Sequence, residues 1–575
     1  MPIGHTIARY CLALLLVVEA GAGFASDPYR DLPYAASSAN GNGAAATVHP
    51  LATQAALGLL EQGGNAIDAA IAAAFALGVV DSHNSGIGGG NFAIVRFADG
   101  HVAAIDGREM APAKAYRDMY MRNGVADGDL STTGALAIGI PGSVAVYEYL
   151  QQHGAKKSWG ELIAPAASLA EQGFPLAPVS AERLASSAST LRRFPAAAAV
   201  LLDDKGNPWP TGHWLKQPDL ANTYRQLAKQ GSAYFYRGDF ARAVAQWMAQ
   251  NGGIVTADDF ANYQMRVRQP VVSQYRGYTI YGFPPPSSGG VHVAEILNIL
   301  SQFELRDMGV NQRHHVLAEA MKLAFADRAF YLGDPDFVDV PKGLIDPAYA
   351  VSLAKAISMT HAAKEVRHGR PPRADIDLFG KHTTHISTAD RWGNWVAITT
   401  TVNTSFGSKV MIPGTGVIMN NQMDDFSIAP GVPNAFGLVG NEANSVQPGK
   451  RPLSSMSPTV VVHDGKPVMT LGAAGGPTII TQVVQALVNV IDLEMSPAQA
   501  LAAERIHHQW QPDMLFIENS LPGQQRSALR KLGHRLFPRG FAGATQLIVS
   551  DGKDGFEAAS EPRVIRANTS DSDVE

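Results

Sequence analysis

The spacing of apolar and polar residues changes period several times along the chain, and each change predicts an element. The clearest period-two stretch is 383–403, where two runs rich in β-branched residues flank Arg391-Trp392-Gly393. A short loop with Gly at its left-handed position is a common hairpin connection. Pairing outward from Asp390 opposite Asn394 sets Ser387 against Ala397 and Thr383 against Thr401. One face then carries Ile386, Val396, Ile398 and Val402 and needs a core. The other carries Thr383, His385, Ser387, Thr399 and Thr401, and a bulge would swap the two faces.

Helical spacing predicts a helix over 49–62, stopped by Gly63-Gly64, and a second over 66–80, capped by Asn65. The second is apolar all round except for Asp68 and too short to span a bilayer, so it reads as a buried core helix. The glycine run 85–90 precedes a strand over 91–97, with another strand following over 101–105. A phosphate-binding loop would open onto a helix, so this run predicts a tight turn where backbone meets backbone. From 112 to about 360 the pattern is mainly helical. Ser158-x-x-Glu161 and Thr256-x-x-Asp259 read as capping boxes, and 284–290 as a rigid lead into a helix over 291–303. Later runs predict strands over 417–419, 459–463 and 467–471, a glycine loop over 472–476, and a helix over 478–491.

Composition narrows the class. The chain is 46% hydrophobic and 17% charged with 56 Gly, which suits a large soluble α/β enzyme. A net charge of −5 offers neither nucleic acid nor an anionic membrane a basic face. Residues 1–25 combine a basic start, an apolar run over 10–18 and a small-x-small end at Gly23-Phe24-Ala25. That is the pattern of a secretory signal peptide, which implies export to the periplasm with no stable membrane anchor. The one Cys, Cys11, would leave with it, so disulfide and thiolate chemistry are not expected.

Candidate chemistry gathers around the hairpin. The stretch 364–377 is polar and Pro/Gly-punctuated, as an exposed, cleavable loop would be. Cleavage between His382 and Thr383 would give Thr383 a free α-amine, a base able to take the proton from its own hydroxyl. Residues alone also permit a Thr-rich hairpin following a loop. Arg108, at a strand end, can grip a carboxylate with two hydrogen bonds, or serve as an ordinary ion-pair residue. Residues 420–426 offer amides and two acids, fit for an ammonium group or for a solvated turn. Ser454 and Ser455 present adjacent hydroxyls. Gly475 and Gly476 precede a helix and either form a plain turn or aim N–H groups at a developing oxyanion, worth about 3 kcal/mol per donor. The pairs His314-His315 and His507-His508 read as structural, because no carboxylate or third His shows ligand spacing around the first.

The runs TTHIS, TTTVNTSFG, NNQMDDF, RPLSSMSPT and GAAGGP, with DGREMAP, GDFARAVAQWMAQNGG, GFPPPSSGG and ADRAFYLGDPDFV upstream, resemble the γ-glutamyltranspeptidase family in order and spacing. The resemblance implies an α/β (α+β) fold, a four-layer αββα sandwich of the N-terminal-nucleophile type, formed jointly by two subunits of one precursor. They would be a large subunit, 26–382, and a small subunit, 383–575, together a heterodimer. It implies Thr383 as nucleophile, oriented by Thr401, with Gly475 and Gly476 as the oxyanion hole. Arg108, Ser454 and Ser455 would take the substrate α-carboxylate, and Asn403, Gln422 and Asp425 its α-amine. The expected substrates are glutathione and other γ-glutamyl compounds, the acceptors water, amino acids or dipeptides, and no metal or organic cofactor is implied. The loop 429–448 would be a lid, with Phe436 where many bacterial relatives have Tyr, a change that removes a hydrogen bond to Asn403. Two other readings stand beside this one: an acylase for glutaryl-type side chains on the same fold, and a γ-glutamyl-binding protein without turnover.

Overall fold

The computed structural model describes residues 29–369, 384–429, 432, 434, 435, 438, 442–540, 543–553 and 555–569. The signal segment 1–25, His382, Thr383 and Phe436 lie outside the described residues.

Thirteen strands build two antiparallel sheets: β1 (Ala35–Ser37), β2 (Gly43–Ala46), β3 (Gly90–Arg96), β4 (Val102–Gly107), β5 (Arg266–Arg268), β6 (Val271–Tyr275), β7 (Tyr278–Gly282), β8 (Thr384–Asp390), β9 (Trp395–Thr401), β10 (Thr459–His463), β11 (Lys466–Ala474), β12 (Ala544–Ser550) and β13 (Phe556–Ser560). The first sheet has the order β1-β2-β8-β9-β3-β4-β5 and the second β6-β7-β10-β11-β12-β13. Both contain strands from before and after residue 383.

The hairpin β8–β9 has the register its pattern predicts. Thr384 pairs with Thr400, Ile386 with Ile398 and Ser387 with Ala397. Gly393 takes φ 98° in the turn, and the Asp390 carboxylate accepts from the N–H groups of Trp392 (2.9 Å) and Asn394 (3.0 Å). Every residue of both strands is buried. One face, with Ile386, Val396 and Ile398, packs under α1 (Pro50–Glu61) and α2 (Ala66–Val80). The other face meets the second sheet through Ala389, Trp395, Ala397, Phe92, Val460 and Ile548.

Helix α2 is buried along its whole length, and Asn65 caps it within a capping box closed by Asp68. The outer face of the second sheet is covered by α3 (Gly289–Leu300), α4 (Val310–Tyr331) and α5 (Thr478–Ile491), packed on Ile280, Val461, Leu471 and Leu547. The capping boxes at Ser158 and Thr256 are present. No helix among the described residues is long and apolar enough to cross a membrane.

Three local expectations need correction. The strand predicted over 417–419 is a single bridge, Met411 to Ile418, because Gly414 and Gly416 (φ 74° and 66°) fold the chain back before a ladder forms. The strand predicted to end at 471 continues to Ala474, carried by its pairing with β12. Helix α3 starts at Gly289 and ends at Leu300, earlier than predicted at both ends.

The glycine run behaves as backbone meeting backbone. A Cβ on Gly88 would lie 2.0 Å from the Ile418 carbonyl oxygen, and one on Gly89 1.8 Å from that of Thr401. Across the sheets, a Cβ on Gly472 would lie 2.3 Å from the His385 ring. Gly472→Ala should therefore cost about 1–3 kcal/mol through overpacking. Gly58→Ala, inside α1 with only Gln62 Nε2 at 3.8 Å from the new Cβ, should stabilise by about 0.5–1 kcal/mol. Opposite shifts in chemical-denaturation midpoint would confirm this pair. Equal shifts would contradict it.

Candidate active site

The site is assembled at the end of β9. Thr401, fully buried, pairs with Gly90, and its Oγ1 accepts from the Asn403 N–H at 2.8 Å. Asn403 follows in the left-handed region at φ 79°. Its Nδ2 donates to the Asn421 carbonyl at 3.0 Å, while its buried Oδ1 makes no hydrogen bond among the described residues. Asn420 anchors the next loop: its Nδ2 donates to the carbonyls of Gly88 and Gly139, both at 2.8 Å, and its Oδ1 accepts from Gln422 N at 3.0 Å.

A single 3-10 turn, Gln422–Asp425, then sets the two predicted amine-binding side chains against each other. Gln422 Nε2 donates to Asp425 Oδ2 at 2.8 Å, and Gln422 Oε1 is buried without a hydrogen bond among the described residues. The two acids separate: Asp425 faces this site, whereas Asp424 accepts from Ser131 Oγ at 2.7 Å. Burial, opposed by that hydrogen bond, lifts the Asp424 carboxyl to about 7.

Arg108 leaves the end of β4 and reaches the same carboxylate. Its Nη2 is 2.5 Å from Asp425 Oδ2 and 2.9 Å from the Leu453 carbonyl, and its Nε donates to the Pro452 carbonyl at 2.9 Å. The guanidinium is 1% exposed, so both charges are desolvated and depend on each other. The next two residues are Ser454 and Ser455. The Ser454 carbonyl accepts from the N–H and hydroxyl of Ser288, both at 2.8 Å, which clasps this segment to the loop before α3. Ser455 Oγ accepts from Arg328 Nη2 at 2.7 Å, and Arg328 Nε donates to Ser288 Oγ at 2.6 Å.

The structure thus brings Arg108, Gln422, Asp425 and the segment 452–455 together in the interior, with Asn403 bonded to Asn421, the residue before Gln422. Gly475 and Gly476, at φ 125° and 67°, join β11 to α5 as predicted. Gly472, in β11 three residues before Gly475, lies against His385, whereas Gly475 faces Thr478, Gln482 and Gly543. Burial holds the His385 imidazole down at about 3, so it is neutral.

Three residues were not picked out from the sequence. Arg328 was visible only as part of a quoted motif. Asp81, just past α2, accepts from Thr384 Oγ1 at 2.5 Å, and burial raises its carboxyl to about 7 against the hydrogen bonds from Thr384 and Asn84. Glu109 follows Arg108 and is fully buried, 3.7 Å from Arg108 Nη1, with no hydrogen bond to either carboxyl oxygen among the described residues. No local pattern separates such acids from ordinary turn residues.

A guanidinium and a carboxylate held side by side, with unmatched amide oxygens around them, can receive a small molecule that itself carries both charges. The mixed α/β fold presents that receptor beside a hydroxyl-bearing strand, an arrangement suited to acyl transfer. The γ-glutamyltranspeptidase family profile matches residues 52–570, and the chain belongs to that family. It is 42% identical over 530 residues to the glutathione hydrolase proenzyme of Escherichia coli (strain K12), covering 91% of this chain and 90% of that one. Among solved structures, cephalosporin acylase from Bacillus halodurans superposes with a TM-score of 0.81 at 28% identity, covering 95% of this chain and 98% of that one. The γ-glutamyltranspeptidase of Helicobacter pylori gives a TM-score of 0.55 at 39% identity, covering 56% of this chain and 94% of that one.

Burial is the main reason the Glu109 carboxyl rises to about 8; Arg108 opposes the shift and Asp425 adds to it. Unfolded, the group titrates near ~4.3. Between these values the folded chain holds a proton that the unfolded chain has lost, so this group lowers stability as pH rises, by up to ~1.4 kcal/mol per pH unit. Glu109→Gln should remove that slope. Its melting temperature relative to wild type should climb between pH 5 and 8, and a pH-independent difference would refute the neutral-acid assignment.

Proposed function

We propose that this protein is a self-processing γ-glutamyltransferase and glutathione hydrolase. The observation that carries the reading is the buried Arg108–Asp425 pair, 2.5 Å apart, with Gln422 bonded to the same carboxylate and its Oε1 without a hydrogen bond among the described residues. A γ-glutamyl group ends in an α-carboxylate and an α-ammonium. Arg108 and the Ser454–Ser455 hydroxyls take the first; Asp425, Gln422 Oε1 and Asn403 Oδ1 take the second. Family membership and the E. coli glutathione hydrolase support the same substrate class.

In this reading the two sheets and their outer helices form a four-layer αββα sandwich of the N-terminal-nucleophile type. Thr383 Oγ attacks the carbonyl of His382, shifts that acyl group from nitrogen to oxygen, and water hydrolyses the ester. The chain becomes a large fragment, 26–382, and a small one, 383–575, with a new α-amine on Thr383. The word proenzyme in the relative's name supports such processing. So does the H. pylori chain, almost all of which matches only 56% of this one.

In turnover the amine accepts the hydroxyl proton as Thr383 Oγ attacks the γ-carbonyl, with Thr401 orienting the hydroxyl. Gly475 and Gly476 N–H groups stabilise the oxyanion, and the amine product departs with the proton. Water or an acceptor amine then releases the γ-glutamyl group from the ester. Export through the signal segment would put this reaction in the periplasm, and Phe436 in place of Tyr would offer Asn403 no hydroxyl.

Thr383→Ala should remain one uncut chain with no release of chromogenic amine from a γ-glutamyl anilide. Two fragments in the intact mass of that mutant would sink the nucleophile assignment.

The similarity to cephalosporin acylase favours a second reading, glutaryl-type acylase activity, whose substrates lack the α-amine. Asp425→Ala separates the two. It should reduce kcat/KM for a γ-glutamyl anilide by about 100-fold or more, the 3–5 kcal/mol typical of a broken buried charge pair, and affect the glutaryl anilide far less. Equal losses would remove Asp425 from the ammonium site.

A further inference from the structure

A second group of titratable side chains sits on α4, away from the site above. Its nearest helical member, Glu319, lies nine residues before Arg328, about 14 Å along the axis at 1.5 Å per residue. His315 and Glu319 are four residues apart and share one helix face. His534, from the turn after helix Gly523–Lys531, meets them. All three are at least 95% buried, and one ligand atom from each lies within 4.8 Å of the others. The expectation that no carboxylate has ligand spacing around His315 is corrected here, because Glu319 stands at i+4 on the same helix. The structure supplies Glu319 from the next turn and His534 from 219 residues away.

We propose that His315 Nδ1, His534 Nε2 and Glu319 Oε1 bind one divalent cation of the zinc class. Two imidazole nitrogens and a carboxylate oxygen are a donor set that zinc takes, with a fourth position left for water. His315 Nε2 is 2.6 Å from the Ser358 carbonyl and must donate to it, which leaves the Nδ1 lone pair facing His534 Nε2 at 2.7 Å. A ligating His that gives its other N–H to a backbone carbonyl is the usual outer-shell arrangement. Glu319 Oε2 accepts from Ala363 N at 2.9 Å, while Oε1 makes no hydrogen bond among the described residues. The carboxylate is thus oriented from behind, with Oε1 turned toward Lys322 Nζ at 3.5 Å.

Without the ion, His534 Nε2–H donates to His315 Nδ1. On binding, its proton moves from Nε2 to Nδ1 and none need be released. The two rings, now hydrogen-bonded, would separate to about 3.3 Å to hold an ion at 2.0–2.1 Å from each nitrogen.

Lys322 Nζ, 3.5 Å from Glu319 Oε1, opposes a second cation, but it is engaged by Asp513 at 3.0 Å and the Ala363 carbonyl at 2.8 Å. His508 also faces Asp513, at 3.2 Å. Lys322 and Asp513, which border the cluster, also line a surface pocket with Lys364, Val366 and Trp510. The ion would tie α4 to the 529–534 turn and fix the segment 358–363 that leads toward the proposed cleavage point. On that processing it would bridge the two fragments, yet its binding to the intact chain is independent of cleavage.

The test is titration of EDTA-stripped protein with zinc chloride alone, read by calorimetry and by thermal unfolding. With 17 His in the chain, weak surface binding forms a background that variants remove. Wild type should show one tight site and a raised melting temperature. His534→Gln and Glu319→Gln should each weaken that site by more than ~10-fold and lose the rise. Identical titrations of wild type and variants, or no tight site in wild type, would overturn the proposal. Cobalt(II) on wild type gives a readout that needs no variant: an intense tetrahedral spectrum supports the site, and a weak octahedral one refutes it.

Discussion

The candidate site depends on a place where three backbones meet without room for a side chain. Gly88 presses on the Ile418 carbonyl, Gly89 on the Thr401 carbonyl, and a Cβ on Gly90 would lie 2.5 Å from Glu109 Oε2. Each contact delivers one part of the site. The first fixes the turn that presents Asn420–Asp425, the second the end of β9 with Thr401 and Asn403, and the third the strand end carrying Arg108. A methyl group at any of the three would push apart groups that must act at hydrogen-bond distance, and interiors packed at crystal density yield little. The glycines therefore set the geometry through backbone contacts alone.

Charge is managed just as tightly. Arg108 and Asp425 are both desolvated, and such a pair contributes little to stability unless its remaining valences are met. Here the guanidinium spends two further N–H groups on carbonyls of residues 452 and 453, and the carboxylate takes Gln422 Nε2. Glu109, next in sequence to Arg108, would add a second negative charge. Burial keeps it protonated instead, so the receptor presents one positive and one negative group. That balance matches a zwitterion and would be poor for a glutaryl group, which brings a carboxylate with no ammonium to answer Asp425.

What the sequence made legible was local. The β8–β9 register followed from period-two patterning and from Gly393, and α2 and α5 have the bounds their apolar spacing predicts. The amides and acid of 420–425 could be proposed as an ammonium receptor because they are neighbours in the chain. Partners from distant segments could not. Arg108 meets Asp425 across 317 residues, and Arg328 meets Ser455 across 127. Period and capping signals describe what one segment needs, a buried face or a terminal partner, and leave open which distant segment supplies it. Asp81 and Glu109 were missed for a related reason: a carboxyl becomes unusual only through the burial that the fold imposes on it.

The sheet orders also bear on how one precursor could become two chains. In the first sheet β8 and β9, from after residue 383, lie between β2 and β3, from before it. In the second, β6 and β7, from before it, continue the ladder of β10 to β13. After a cut at residue 383, β8 would keep its pairings with β2 and β9 on either side. Both fragments would stay in the cores on the two sides of the paired sheets. The new terminus would lie one residue from Thr384, whose hydroxyl is already held by Asp81. A chain folded this way can lose a peptide bond at its central hairpin and keep the geometry that the hairpin supports.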